Sequence, residues 1–182
     1  MLALRLHPDS RCAAVTHMEA DVARPRPGAL ALVYVVTGEM RDLFWPPAAA
    51  PARADELWRR TCFEAFVGAS PGKAYLEFNF SPARQWAAYS FSGYRAGMRV
   101  ASGVAAPRIE VRTTDQQCEL RAWLELEPTS LPGDAAWRVG LSAVIEETSG
   151  RKSYWALAHP PGKADFHHVD GFAYEVAAAE AT

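Results

Sequence analysis

ELWRRTCFEAFVGASPGKAYLEFNFSPARQWAAYSFSGYR, residues Glu56 to Arg95, holds three short aromatic-rich runs, Cys62 to Val67, Tyr75 to Phe80 and Trp86 to Phe91. Turn formers separate them, first Ser70-Pro71-Gly72 and then Ser81-Pro82, which is the pattern of consecutive antiparallel strands. In the second run, alternation sets Leu76, Phe78 and Phe80 on one face and Tyr75, Glu77 and Asn79 on the other. The first run carries Glu64 inside an otherwise apolar stretch. Two carboxylates and an amide within such strands cost free energy unless each finds a partner, a ligand or water.

Three blocks of the chain, LWRRTCFEAFVG (Leu57 to Gly68), YLEFNFSPARQWAAYSFSGYRAGM (Tyr75 to Met98) and SYWALAHPPGKADFHHVDGFAYEV (Ser153 to Val176), resemble bacterial DOMON-like proteins. These are relatives of DOMON domains and of family 9 carbohydrate-binding modules. The resemblance covers most of the chain and implies an all-β, antiparallel two-sheet β-sandwich, a DOMON-like or immunoglobulin-like jelly roll. Function in that superfamily divides between sugar binding and haem binding, so resemblance of fold does not settle the ligand.

Length and composition agree. A chain of 182 residues is one domain by the usual prior, and β-sandwiches of this size are commonly undivided. With 49% hydrophobic and 22% charged residues the chain has the material for a core. Residues 1–176 read as a single domain and residues 177–182 as a frayed tail. The net charge of -2 gives no electrostatic reason to expect nucleic acid or an anionic membrane as partner, and no stretch approaches the roughly 20 apolar residues of a membrane span.

Arg5, His7, Asp9 and Arg11 interrupt the N-terminus where a secretory leader would be apolar. Cys12, Cys62 and Cys118 are widely spaced and odd in number, which points to free thiols and a cytoplasmic protein rather than to a disulfide framework or a zinc cluster.

Further strands are expected at Leu2 to Leu6, Val15 to Ala23, Leu30 to Thr37, Arg108 to Thr113, Cys118 to Leu126, Trp137 to Glu146 and Lys152 to Ala158, the last two joined through Ser149-Gly150. Leu30 to Thr37 is so nearly continuous in apolar residues that it reads as covered on both faces. Cys118 to Leu126 alternates cleanly, with Cys118, Leu120, Ala122, Leu124 and Leu126 against Glu119, Arg121, Trp123 and Glu125. Glu39 to Asp55, broken by Pro46, Pro47 and Pro51, reads as a long surface loop, followed by a short helical turn around Asp55 to Arg60. Tyr94 to Ala106 reads as a connection.

Glu64, Glu77 and Asn79 are the polar constellation, since facing side chains on neighbouring strands lie roughly 5 Å apart and carboxylates accept hydrogen bonds from hydroxyl groups. The structural alternative pairs the two glutamates with Arg60, Arg84 or Arg95. Six tryptophans supply flat faces on which sugar rings can stack, Trp123 from the polar face of its strand and Trp45 and Trp58 from the flanks of the proline-rich loop. His167, His168 and Asp170 include metal-capable groups, but adjacent residues of a strand point to opposite faces. HExxH, phosphate-cradling and dinucleotide motifs are missing from the sequence.

The reading that results is a non-catalytic module for a carbohydrate or another polyhydroxylated small molecule, without a cofactor. Trp58, Arg60, Glu64, Glu77, Asn79, Arg95, Trp123 and His167 are its ligand-binding residues. Two alternatives stand beside it: a haem-binding domain with His167 or His159, and Met98, as axial ligands, and a structural or protein-interaction domain whose polar strand residues brace the fold.

Overall fold

Alternating burial along the strands builds two sheets that share one core. The computed structural model describes residues 1–127 and 131–179. In chain order the strands are β1 (Leu2–Ala3), β2 (Arg5–Leu6), β3 (Val15–Ala23), β4 (Ala29–Gly38), β5 (Cys62–Ala69), β6 (Tyr75–Phe80) and β7 (Trp86–Phe91). They continue as β8 (Arg99–Val100), β9 (Arg108–Thr113), β10 (Gln117–Glu125), β11 (Trp137–Glu146), β12 (Lys152–Ala156) and β13 (Tyr174–Val176). One sheet runs β1-β3-β4-β10-β9; the other runs β2-β12-β11-β5-β6-β7-β8, with β13 also on β11. All of these strand pairs are antiparallel.

The core between the sheets takes Met18 and Ala20 from β3, Leu32 and Tyr34 from β4 and Leu120 and Leu124 from β10. Facing them are Phe63 and Ala65 of β5, Phe78 and Phe80 of β6 and Trp137 and Leu141 of β11. Fully burying a large apolar side chain contributes roughly 1.5–3 kcal/mol, so interdigitation of two inner faces accounts for the sandwich. Tyr34 adds a polar link across this core, its hydroxyl donating to the Glu64 carbonyl oxygen at 2.7 Å. The β11–β12 hairpin turns at Gly150, whose φ of 82° suits glycine.

Three expectations are corrected. Leu2 to Leu6 is not one strand: β1 pairs with β3 and β2 with β12, so the chain crosses between sheets at buried Leu4, whose amide donates to the Met18 carbonyl. The run expected to be covered twice is covered once. Leu30, Leu32, Tyr34 and Val36 of β4 are buried, whereas Ala31, Val33 and Val35 are half-buried on the sheet's outer face. The strands covered on both faces are instead β5 and β6, buried throughout except for Ala69 at the end of β5.

The Tyr94 to Ala106 connection contains β8, which extends the larger sheet beside β7, and β13 forms within a C-terminal block that carries no alternation to announce it. Leu57–Arg59 forms the expected short helical turn, a 3-10 turn. Residues 177–179 follow β13 without regular structure, and 180–182 of the expected tail lie outside the described residues. All three cysteines are free, with Cys62 and Cys118 buried. Among the described residues no helix is long and apolar enough to cross a membrane.

The second cover on β5 and β6 comes from the segment 157–173 and from the turn carrying Leu57 and Trp58. Phe66, Tyr75, Ala87, Tyr89 and Phe91 form an apolar cluster on the outer face, and Leu57, Trp58, Phe166 and Phe172 pack on it. Gly140 of β11 permits the close approach: a Cβ there would lie 2.9 Å from the Gly171 carbonyl oxygen. Replacing Tyr34 with Phe is expected to cost about 0.5–1.5 kcal/mol, the net worth of one buried hydrogen bond, seen as a lowered urea midpoint at unchanged m-value.

Candidate functional site

Where the outer cover parts, the larger sheet exposes a cleft of about 380 Å³, within the range of small-ligand sites. Its floor is Glu64 from β5, Glu77 from β6 and Val144 from β11, all nearly inaccessible to solvent. Phe91, Tyr154, Phe166 and His167 also line it, with Trp58, Arg95, Met98 and Ala164 completing the boundary. Five of the eight residues singled out in the sequence therefore converge: Trp58, Glu64, Glu77, Arg95 and His167.

The glutamates meet because β5 and β6 pair with Glu64 opposite Asn79 and Phe66 opposite Glu77, which puts both carboxyls on the outer face, diagonal neighbours in the ladder. Asn79 lies beside them, fully buried; its Nδ2 donates to Glu77 Oε1 at 2.7 Å, and the Cys62 thiol approaches its Oδ1 at 3.8 Å. Glu64 Oε1 is buried with no hydrogen-bond partner.

Burial, and then the nearby Glu77 charge, push the Glu64 carboxyl well above its usual range, with Arg95 pulling the other way. Burial also raises Glu77, opposed by its hydrogen bond from Asn79 and by Arg95. Like charges this close in a dry site do not ionise independently. Burial keeps the Cys62 thiol protonated as well, with Glu64 adding to the effect.

His167 closes one side. Tyr75 Oη accepts the Arg95 backbone N–H at 3.2 Å and shares a hydrogen bond with His167 Nδ1, 2.8 Å away. Nε2 of the same ring faces Glu77 Oε2 at 3.7 Å. Burial, assisted by the Arg95 charge, lowers the His167 pKa to about 4, so the ring is neutral at physiological pH. Arg95 is committed to Asp165, Nη2 to Oδ1 at 2.7 Å, and the Tyr94 hydroxyl donates to the other oxygen of that carboxylate. Burial opposes ionisation of Asp165, but these hydrogen bonds outweigh it and hold the carboxyl below its usual range.

The arginine pairing weighed for the two glutamates is not formed. Arg60 bonds Glu146 at 2.8 Å and lies over the Phe44 ring, outside the cleft. Arg84 sits in the turn between β6 and β7 with φ of 65°, and Arg95 bonds Asp165. Trp123 also lies elsewhere: it is half-buried on the outer face of the five-stranded sheet, opposite Ala31 of β4, with the Arg108 guanidinium 4.9 Å from its ring centre. Its alternation gave the face correctly but not which sheet's face would be roofed. Trp45 packs on the central core and donates from Nε1 to the Met40 carbonyl at 2.8 Å, so of the two tryptophans flanking the proline-rich loop only Trp58 reaches the cleft.

The sequence reading did not single out Phe91, Val144, Tyr154 or Phe166. Tyr154 was signalled by the alternation of β12, where Ser153 and Trp155 are buried and Tyr154 is half-buried; Phe166 had no periodic signal.

His167 and Met98 both line the cleft, but the residues do not fit a haem. The floor is a carboxyl pair, His167 has Nδ1 bonded to Tyr75 and Nε2 turned to Glu77, and His159 lies outside the lining with Nε2 2.8 Å from the Arg5 carbonyl oxygen. Among the described residues no group of three His, Cys, Asp or Glu side chains suits a metal ion.

No family model matches the chain, and no curated protein matches it. Among solved structures, a Bacteroides uniformis protein described as a candidate carbohydrate-binding protein is similar with a TM-score of 0.56 and 11% identity, over 84% of this chain and 74% of its own. A family 9 carbohydrate-binding module from Caldicellulosiruptor kristjanssonii, in complex with glucose, gives 0.44 and 10% identity over 87% and 76%. The first shows the shared fold; the weaker second carries no argument. Neither bears on the DOMON side of the resemblance seen in the sequence.

A pH dependence follows from the carboxyl pair. Because Glu64 and Glu77 hold protons more tightly than the ordinary value of 4.5, the folded chain binds more protons than the unfolded one above that pH, and their contribution to stability falls as pH rises toward the folded values. His167, lowered from 6.5 to about 4, acts oppositely, adding stability as pH rises across that interval. Comparing wild type with Glu64→Gln cancels the histidine, so the difference in urea midpoint is expected to move in favour of the variant from about pH 5 to about pH 8. A constant difference would show that Glu64 is not held protonated by the fold.

Proposed function

We propose that the protein is a non-catalytic carbohydrate-binding module whose ligand, a sugar or a related polyhydroxylated molecule, enters the cleft over Glu64 and Glu77. The observation that carries this reading is Glu64 Oε1, buried on the floor of a cleft with no partner among the described residues. An orphaned buried polar atom costs about 1–3 kcal/mol, and a ligand hydroxyl at that position supplies the missing donor. Glu77, held by Asn79, extends the polar floor, Arg95 contributes at the boundary, and Trp58 with Phe91 and Phe166 offers apolar area to the C–H face of a sugar ring. The function described for the Bacteroides uniformis protein of similar fold supports the same ligand class.

The carboxyls bind rather than cleave in this reading. Glycosidase chemistry needs one carboxyl to donate a proton and the other to act as base or nucleophile on opposite sides of a bond, whereas both lie here on neighbouring strands of one floor, coupled to each other and to Asn79.

Trp58 and Trp123 separate this reading from its alternatives. Trp58 is half-buried, edge-to-face with Tyr89 at 5.9 Å between ring centres, so Trp58→Ala is expected to leave a folded protein and weaken sugar binding by at least about tenfold, or about 1.4 kcal/mol. Trp123→Ala, on the other sheet, is expected to leave affinity unchanged. Isothermal titration of both variants against a panel of mono- and disaccharides checks this. Loss of binding on Trp123→Ala with retention on Trp58→Ala would move the site to the five-stranded sheet, and a panel without any binder would favour the bracing role for the polar strand residues.

A further inference from the structure

The floor of the cleft is more acidic than a neutral sugar requires. Glu64 is 3% exposed and Glu77 4%, and among the described residues no guanidinium or ammonium group is paired with either. The groups that face them from the surrounding elements offer little countercharge. Cys62 and Asn79 on the sheet are neutral, and Tyr154 of β12 adds a hydroxyl. His167, from the segment over the sheet, is neutral, and Arg95, whose charge favours both ionised carboxyls, makes its own ion pair with Asp165. Above this floor stand the rings of Trp58, Phe91 and Phe166.

A neutral polyol would satisfy the orphaned oxygen of Glu64 but would leave the two carboxyls in their protonated, more weakly accepting form. A cation with several N–H donors meets acceptors, opposite charge and aromatic faces in one place, the combination that selects ammonium groups. We propose that the ligand of this cleft carries a primary ammonium group, and, resting on the carbohydrate reading above, that it is an amino sugar. The ammonium hydrogens go to the Glu64 and Glu77 carboxylates, and the ring lies toward Trp58. Burial and mutual repulsion hold protons on the empty pair; entry of the cation favours both ionised forms, so binding releases protons to solvent.

The test is isothermal titration of the full chain at about pH 6.5, where amines with pKa near 8 remain protonated. The probes are matched pairs, glucose with glucosamine, galactose with galactosamine and mannose with mannosamine, and ethanolamine as an amine without a sugar. The amino member of at least one pair is expected to bind at least about fivefold more tightly than its neutral partner. Its heat is expected to differ between buffers of different ionisation enthalpy in the sense of proton release, and Glu64→Gln to erase the preference. Glu77→Gln serves in its place should the first variant fail to fold.

Neutral sugars that bind with less than that disadvantage would overturn the ammonium proposal and leave the carbohydrate reading standing. Ethanolamine binding as tightly as any amino sugar, with neutral sugars inert, would overturn the carbohydrate reading and keep the ammonium site. No binding by any probe would overturn both.

Discussion

Coverage of β5 and β6 on both faces is the constraint from which the rest of the molecule follows. A strand roofed on one side alone can turn its polar residues to water, as β10 does with Glu119, Arg121 and Glu125. On β5 and β6 that outlet is closed, because Phe166, Phe172 and Leu57 pack over the aromatic cluster of the outer face. Every side chain from Cys62 to Val67 and from Tyr75 to Phe80 therefore leaves bulk water. For the aromatic residues this is favourable; for Glu64, Glu77 and Asn79 it costs free energy unless hydrogen bonds offset it. Asn79 and Glu77 satisfy each other in part, while Glu64 keeps an oxygen without a hydrogen-bond partner among the described residues.

In the proposed reading, that imbalance places the functional demand in the floor rather than in the loops. Stability alone would favour an apolar residue at position 64, where the neighbours are Phe63, Ala65 and Phe66, and sites retained against stability are characteristic of binding surfaces. The surrounding network is arranged to keep the demand in place. Tyr75 bonds His167, Asp165 anchors Arg95, and the Arg95 backbone in turn bonds Tyr75, so the histidine wall and the arginine at the boundary are positioned by one connected set of hydrogen bonds. Gly140 lets the segment bearing His167 and Asp165 approach the sheet to within backbone contact.

The β-sandwich by itself is silent about ligand, and the low identity to its structural neighbours adds no residue correspondence. The two tryptophans show how much depends on tertiary context. Trp123 occupies the clearest alternating strand in the sequence yet faces out from the smaller sheet, where Arg108 covers it. Trp58, in a segment without strand periodicity, reaches the cleft because its turn folds against Tyr89.

Local pattern was sufficient for what depends on neighbours along the chain. Alternation and turn residues located most strands, including β3, β6, β7, β9 and β11 at their observed limits, assigned opposite faces to Phe78 and Glu77, and marked Glu64, Glu77 and Asn79 as polar residues in unusual places. Period-two alternation tells which residues share a face but not which face is roofed, since that is settled by segments distant in sequence. Hence Leu30 to Thr37, nearly all apolar, is covered on one face only, and a strand interrupted by a glutamate is buried on both. The joining of Glu64 to His167, across more than half the chain, and the commitment of Arg95 to Asp165 were decided only by the packing of residues 157–173 against β5, β6 and β11, and that of Arg60 by the placing of Glu146 at the end of β11. Contacts at such separation leave no periodic trace in the residues that make them.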